Sequence, residues 1–150
     1  MISIKESLYN ECKNALNLRL KVLQQTISDI ETNLQSETKS SAGDKHETGR
    51  AMLQLDREKA GQQLAEIQKQ FELLNKINTD SRQKQIALGS VVFTIQANYF
   101  LAISTGEIEV DGQSFFAISP ATPIGRLLLS KTKGDTIQFN NRKFQILKVL

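Results

Sequence analysis

The sequence predicts an α+β protein: an N-terminal antiparallel α-helical coiled-coil hairpin over residues 1–78, then a small antiparallel sheet domain with one helix over 82–150. Three observations predict it. Apolar residues at Leu16, Leu20, Leu23, Ile27, Ile30 and Leu34 alternate four and three apart, the seam spacing of a coiled coil. No proline occurs before Pro120, so nothing forces a helix in the first half to break. After Ile77 the helical period stops, and short β-branched and aromatic runs bounded by turn residues take over.

The first helix extends loosely backwards through Tyr9 and Cys12. A second apolar run follows at Leu53, Ala60, Leu64, Ile67, Phe71 and Leu74, with Arg57 where a seam residue would fall. The connection, about Gln35 to Gly43, is short, and short links make neighbouring helices antiparallel. Arms of roughly 28 residues at 1.5 Å each would reach about 40 Å, with residues 40–50 at the end. Gly49 and Gly61 lie within the second pattern and weaken it locally. Asn78-Thr79-Asp80-Ser81 suits a boundary. Strands are expected at Ser90–Ile95, Tyr99–Ile103, Glu107–Val110 and Gln113–Ile118, the last two flanking the hairpin signal Asp111-Gly112. Thr122-Pro123 reads as an N-cap with proline at the first helical position, opening a helix through Leu129. Gly134-Asp135 leads into a closing pair, Thr136–Phe139 and Lys143–Val149, joined at Asn140-Asn141.

A chain of 150 residues is about one domain or two small ones. Residues 1–80 hold 11 Lys/Arg against 12 Asp/Glu, whereas residues 81–150 hold 8 against 4. The basic second half favours an acidic partner surface or nucleic acid, or is simply a solvated surface. No basic start followed by an apolar core marks a secretory signal, and the apolar runs are far too short to span a bilayer. The single cysteine, Cys12, has no internal disulfide partner, and together these features point to the cytoplasm. With no histidine beside it, Cys12 reads as a packing residue. Zinc spacings, phosphate-cradling glycine loops and serine elbows are not found.

The helical link reads Ser40-Ser41-Ala42-Gly43-Asp44-Lys45-His46-Glu47-Thr48-Gly49. Asp44 and Glu47 have the D-x-x-E form of a capping box, and acids in a first turn also suit the helix dipole. Equally, positions i and i+3 share a helical face, so two carboxylates could converge on one hard cation. Magnesium commonly takes one or two protein carboxylates and completes its shell with phosphate and water. The two readings are compatible. His46, the only histidine, reads as a solvated residue. Lys45, Arg50 and Lys39 could meet a phosphate backbone or simply face water.

With these features in view, the chain resembles the Gre family of bacterial transcript cleavage and transcription elongation factors over almost its whole length. Gly43-Asp44-Lys45-His46-Glu47 looks like that family's G-D-x-x-E tip. The run from Pro123 to Asp135 is similar to its helix and following turn, and the Phe144–Val149 strand also fits. The resemblance implies a C-terminal domain of FKBP-like fold that docks at the rim of the RNA polymerase secondary channel while the coiled coil enters it. Asp44 and Glu47 would then help hold an active-site Mg2+ jointly with RNA polymerase core, close to the nascent RNA 3′ end. Lys45, His46 and Arg50 would lie near that RNA. The polymerase performs the cleavage, so the chain would not be an enzyme alone, and a monomer would suffice.

Family members usually follow the glutamate with an Asn-Ala-Glu-Tyr-like run; here it is Thr48-Gly49-Arg50-Ala51. A relative that occupies the channel without promoting cleavage is therefore the alternative within the family. A prolyl isomerase of FKBP type, using aromatics among Phe93, Tyr99, Phe100, Phe115, Phe116, Phe139 and Phe144, and a coiled-coil adaptor are alternatives of other classes.

Overall fold

The computed structural model describes residues 2–39 and 43–150, the side chains of residues 38, 39 and 43–46 excepted. Two long helices come first, α1 (Ile4–Lys39) and α2 (Gly43–Asn75). The connection is shorter than the Gln35–Gly43 expected. The apolar period ends at Leu34, but Gln35, Ser36 and Glu37 contain no glycine or proline, and the helix runs on through them. By compactness the chain divides into one unit of residues 16–70 and another of residues 1–15 with 71–150. The division crosses both helices, so their opening and closing turns belong with the sheet.

Within the 16–70 unit, the predicted seam alternates in depth. Leu16, Leu23 and Ile30 are buried on α1, as are Ala60 and Ile67 on α2, each seven residues from the next. Leu20, Ile27, Leu34, Leu53 and Leu64 are half-buried between them. A seven-residue repeat of full burial is what two helices at a small crossing angle give when one row of side chains points straight at the partner. The Arg57 guanidinium reaches across the arms to Glu31, with Nε 3.3 Å from Oε1. Nearer the link, a β-carbon at Gly49 would stand 3.7 Å from the Glu37 carboxylate. Ascending on one helix meets descending on the other, so the pair is antiparallel.

In the other unit, six strands follow: β1 (Val91–Thr94), β2 (Asn98–Leu101), β3 (Gly106–Val110), β4 (Gln113–Ile118), β5 (Thr136–Phe139) and β6 (Arg142–Val149). A short helix, α3 (Pro123–Leu128), lies between β4 and β5. The sheet order is β3-β4-β2-β1-β6-β5. The expected all-antiparallel sheet needs one correction: β2 and β4 are parallel, with Tyr99 opposite Phe116 and Leu101 opposite Ile118. Turn chemistry fixes the β3–β4 hairpin but not the edge on which it docks. It docks with β4 inward, held to the end of β2 by Ala102 N–H to Ile118 O at 2.9 Å.

The turns themselves follow the sequence. Asp111 and Gly112 both have positive φ, at 52° and 77°, and so do Asn140 and Asn141, at 52° and 62°. These are the left-handed pairs that a tight hairpin of right-twisted strands requires. Thr122 caps α3, its Oγ1 accepting from Gly125 N–H at 3.1 Å, with Pro123 in the first turn. The core gathers Ile86, Val92, Leu101, Leu128, Ile137, Phe144 and Ile146. The opening turns of α1 bury Leu8 and Cys12 in this unit, and Cys12 Sγ lies 3.9 Å from Thr105 Oγ1. Cys12 is therefore a packing residue.

Candidate functional site

The first turn of α2 forms because Gly43 to His46 carry no β-branched residue or proline, and the acids meet the positive end of the helix dipole. Gly43 is already helical, so Asp44 stands inside that turn rather than one step before it, where a capping box would put it. Backbone spacing places Asp44 and Glu47 three residues apart on one helical face. The Glu47 side chain is exposed. The side chains of Asp44, Lys45, His46 and Lys39 lie outside the described residues. Arg50 follows Glu47 by three residues and is half-buried, between exposed Thr48 and exposed Ala51 in the same helix.

Among the described residues, no group of three or more His, Cys, Asp or Glu side chains could hold a metal ion alone.

Phe100, Phe115 and Phe144 are buried in the sheet unit. Phe93 stacks edge-on against Phe115 at 5.6 Å, and Tyr99 lies tilted against Phe116 at 6.2 Å. Burial pushes the Tyr99 phenol above its ordinary range.

One residue escaped sequence reasoning. Lys5 is buried at 5% exposure and its Nζ donates to the Ser81 carbonyl at 2.7 Å. Burial, then the neighbouring Arg82 guanidinium, hold its ammonium below the usual lysine range. The signal was its position, three residues before Leu8 and seven before Cys12 on one helical stripe.

No protein-family model matches the chain, and no curated protein does. Among solved structures, it is similar to the GreA factor homolog 1 (Gfh1) protein of Thermus thermophilus. Identity is 18% over 95% of this chain and 94% of that one, with a TM-score of 0.37. A second structure, of the transcription factor Gfh1, matches at 19% identity over 94% and 92% of the two chains, with a TM-score of 0.35. At these levels the likeness assigns no function, and the chain's own residues must carry the reading. Among the described residues, no helix is long and apolar enough to cross a membrane.

Proposed function

We propose that this chain is a Gre-like transcription factor that enters the secondary channel of RNA polymerase and stimulates cleavage of backtracked RNA. The observation that carries the reading is the first turn of α2, where Asp44 and Glu47 stand three residues apart beside the link between paired helices, with Glu47 exposed. In this reading Asp44 and Glu47 supply oxygen ligands to a Mg2+ that the polymerase also holds. Such a metal, when bound, stabilises the attacking and leaving oxygens of an in-line phosphodiester displacement. The chain's own part is to bind, to orient its two carboxylates and to place Lys45 and Arg50 near the RNA phosphates.

The test is a halted, backtracked elongation complex mixed with the protein and magnesium. The RNA is expected to shorten, and Asp44→Asn or Glu47→Gln is expected to slow that shortening by roughly a hundredfold, the usual scale for losing one group that stabilises transition-state charge. Unshortened RNA, or variants as active as the parent, would remove the cleavage claim. The departure at Thr48-Gly49-Arg50, which sets a cation one turn from Glu47, favours a second reading: channel occupancy without cleavage. Co-elution with polymerase core, together with displacement of a cleavage-competent factor and intact RNA, is the outcome that reading expects.

A further inference from the structure

A second site lies in the sheet unit, and it does not rest on the polymerase reading. The segment before β1 runs beside the turn after α3, joined by Ile86 N–H to Lys131 O and Ser130 N–H to Ile86 O, both 2.8 Å. That turn is tied to β6 by Gly134 N–H to Ile146 O at 2.8 Å and Ile146 N–H to Asp135 O at 2.9 Å. The three segments enclose a cleft of about 570 Å³, with Arg82, Gln83, Lys84, Thr132, Lys133 and Lys148 in its lining.

No carboxylate lines this cleft. Asp135, in the turn beside it, is directed into its own loop, where its Oδ2 accepts from Thr132 N–H at 2.8 Å. Arg82, Lys84, Lys133 and Lys148 are all exposed, and among the described residues none of them makes an ion pair. Lys148 is steadied instead by the Phe93 ring, its Nζ 5.7 Å from the centroid. Arg82 also bears on buried Lys5, which adds to the positive potential. Bringing four cations from three segments together works against folding through self-repulsion, and a bound polyanion would relieve it.

We propose that this cleft binds phosphate groups. Lysine, arginine, threonine and glutamine are the side chains that contact phosphate oxygens in nucleic-acid complexes. The volume falls within the roughly 300–1,000 Å³ of small-ligand sites. An acidic protein segment would need a broader face, of about 1,000 Å² or more in total. The phosphates belong either to a small polyphosphate or to the backbone of a single strand threading the cleft.

The test uses the full chain, a fluorescent single-stranded oligonucleotide, inorganic tripolyphosphate and poly-glutamate, in salt from about 50 to 200 mM. Lys84→Glu and Lys133→Glu are each expected to weaken phosphate binding about tenfold and to make the salt slope shallower by about one. Lys143→Glu makes the same charge change on β6 outside the cleft and should shift binding by less than about twofold. Displacement of the oligonucleotide by tripolyphosphate identifies the small ligand; oligonucleotide binding that tripolyphosphate leaves intact identifies the strand backbone. Equal losses in all three variants, no binding of either phosphate probe, or tighter binding of poly-glutamate would each overturn the proposal. Circular dichroism of each variant establishes that it is folded, as expected for substitutions at exposed positions.

Discussion

Two helical glycines make opposite demands on a β-carbon, and replacing each by alanine tests the packing directly. At Gly125, in the first turns of α3, a methyl would overlap the carbonyl oxygen of Ser119 and stand 2.8 Å from Thr122 Oγ1 and 3.1 Å from Pro120 Cα. Two of these three are backbone atoms in a tight turn, so they give less readily than a rotating side chain. Overpacking of this kind costs about 1–3 kcal/mol, and displacing Thr122 from its cap adds about 1. Alanine's better helix propensity returns about 1 kcal/mol. Gly125→Ala should therefore destabilise the sheet unit by about 1–3 kcal/mol, lowering its melting temperature by about 5 °C or more. At Gly49 the nearest atoms are the Glu37 carboxylate at 3.7 Å, an ordinary contact, and φ is not positive. Gly49→Ala keeps the propensity gain, so the helical hairpin gains about 1 kcal/mol. Thermal unfolding followed at 222 nm for the helices and by near-ultraviolet dichroism for the sheet aromatics separates the two. A Gly125→Ala melt within about 2 °C of the parent, or a Gly49→Ala variant less stable than the parent, would refute the reasoning.

Two further outcomes follow from individual groups. Thr122→Ala leaves Gly125 N–H without its cap and should cost about 1 kcal/mol in urea unfolding, with an unchanged m-value. Lys5 has a folded-state pKa below 10.5, so between that lowered value and 10.5 the unfolded chain binds more protons and stability rises with pH. Lys5→Met removes this slope. Any stability advantage of the variant over the parent is expected to be largest at neutral pH and to shrink as pH climbs towards 10.5, measured by urea midpoints across the range.

The heptad seam, both hairpin turns and the Thr122 cap were legible because each is a local rule written over a few consecutive residues. The same is true of the acids, since Asp44 and Glu47 announce a helical face by spacing alone. What could not be read was long-range. The parallel pairing of β2 with β4 depends on which edge an already formed hairpin docks against, and Asp111-Gly112 says nothing about that. The burial of Lys5 beside Ser81 joins residues far apart in the chain. The basic cleft likewise gathers cations from three segments whose adjacency is set by the sheet order, so the sequence showed only an excess of positive charge in the second half.

Arg57 interrupts an otherwise apolar seam, and its cost suggests its use. An exposed pair such as Arg57–Glu31 contributes about 0–1 kcal/mol, whereas burying a leucine there would contribute about 1.5–3. The seam would thus be stronger with an apolar residue. A heptad hairpin, however, repeats every seven residues, so an apolar seam fits nearly as well after a seven-residue slip of one arm. With Arg57 in place, the slipped register separates it from Glu31 and brings it opposite Gln24 or Thr38, neither of them a carboxylate, and a polar seam residue selects register in this way. Only residues 40–42 lie between α1 and α2, so a slip must unwind helix at the link and draw Asp44 and Glu47 out of their shared turn. Arg57→Leu is accordingly expected to raise the melting temperature of the hairpin while loosening its register. Cysteines introduced as Glu37→Cys and Gly49→Cys, neighbours in the native register, should cross-link less completely in the Arg57→Leu background than with Arg57 intact. If the two backgrounds cross-link equally, the arginine does not guard the register, and the acids are held in place by the short link alone.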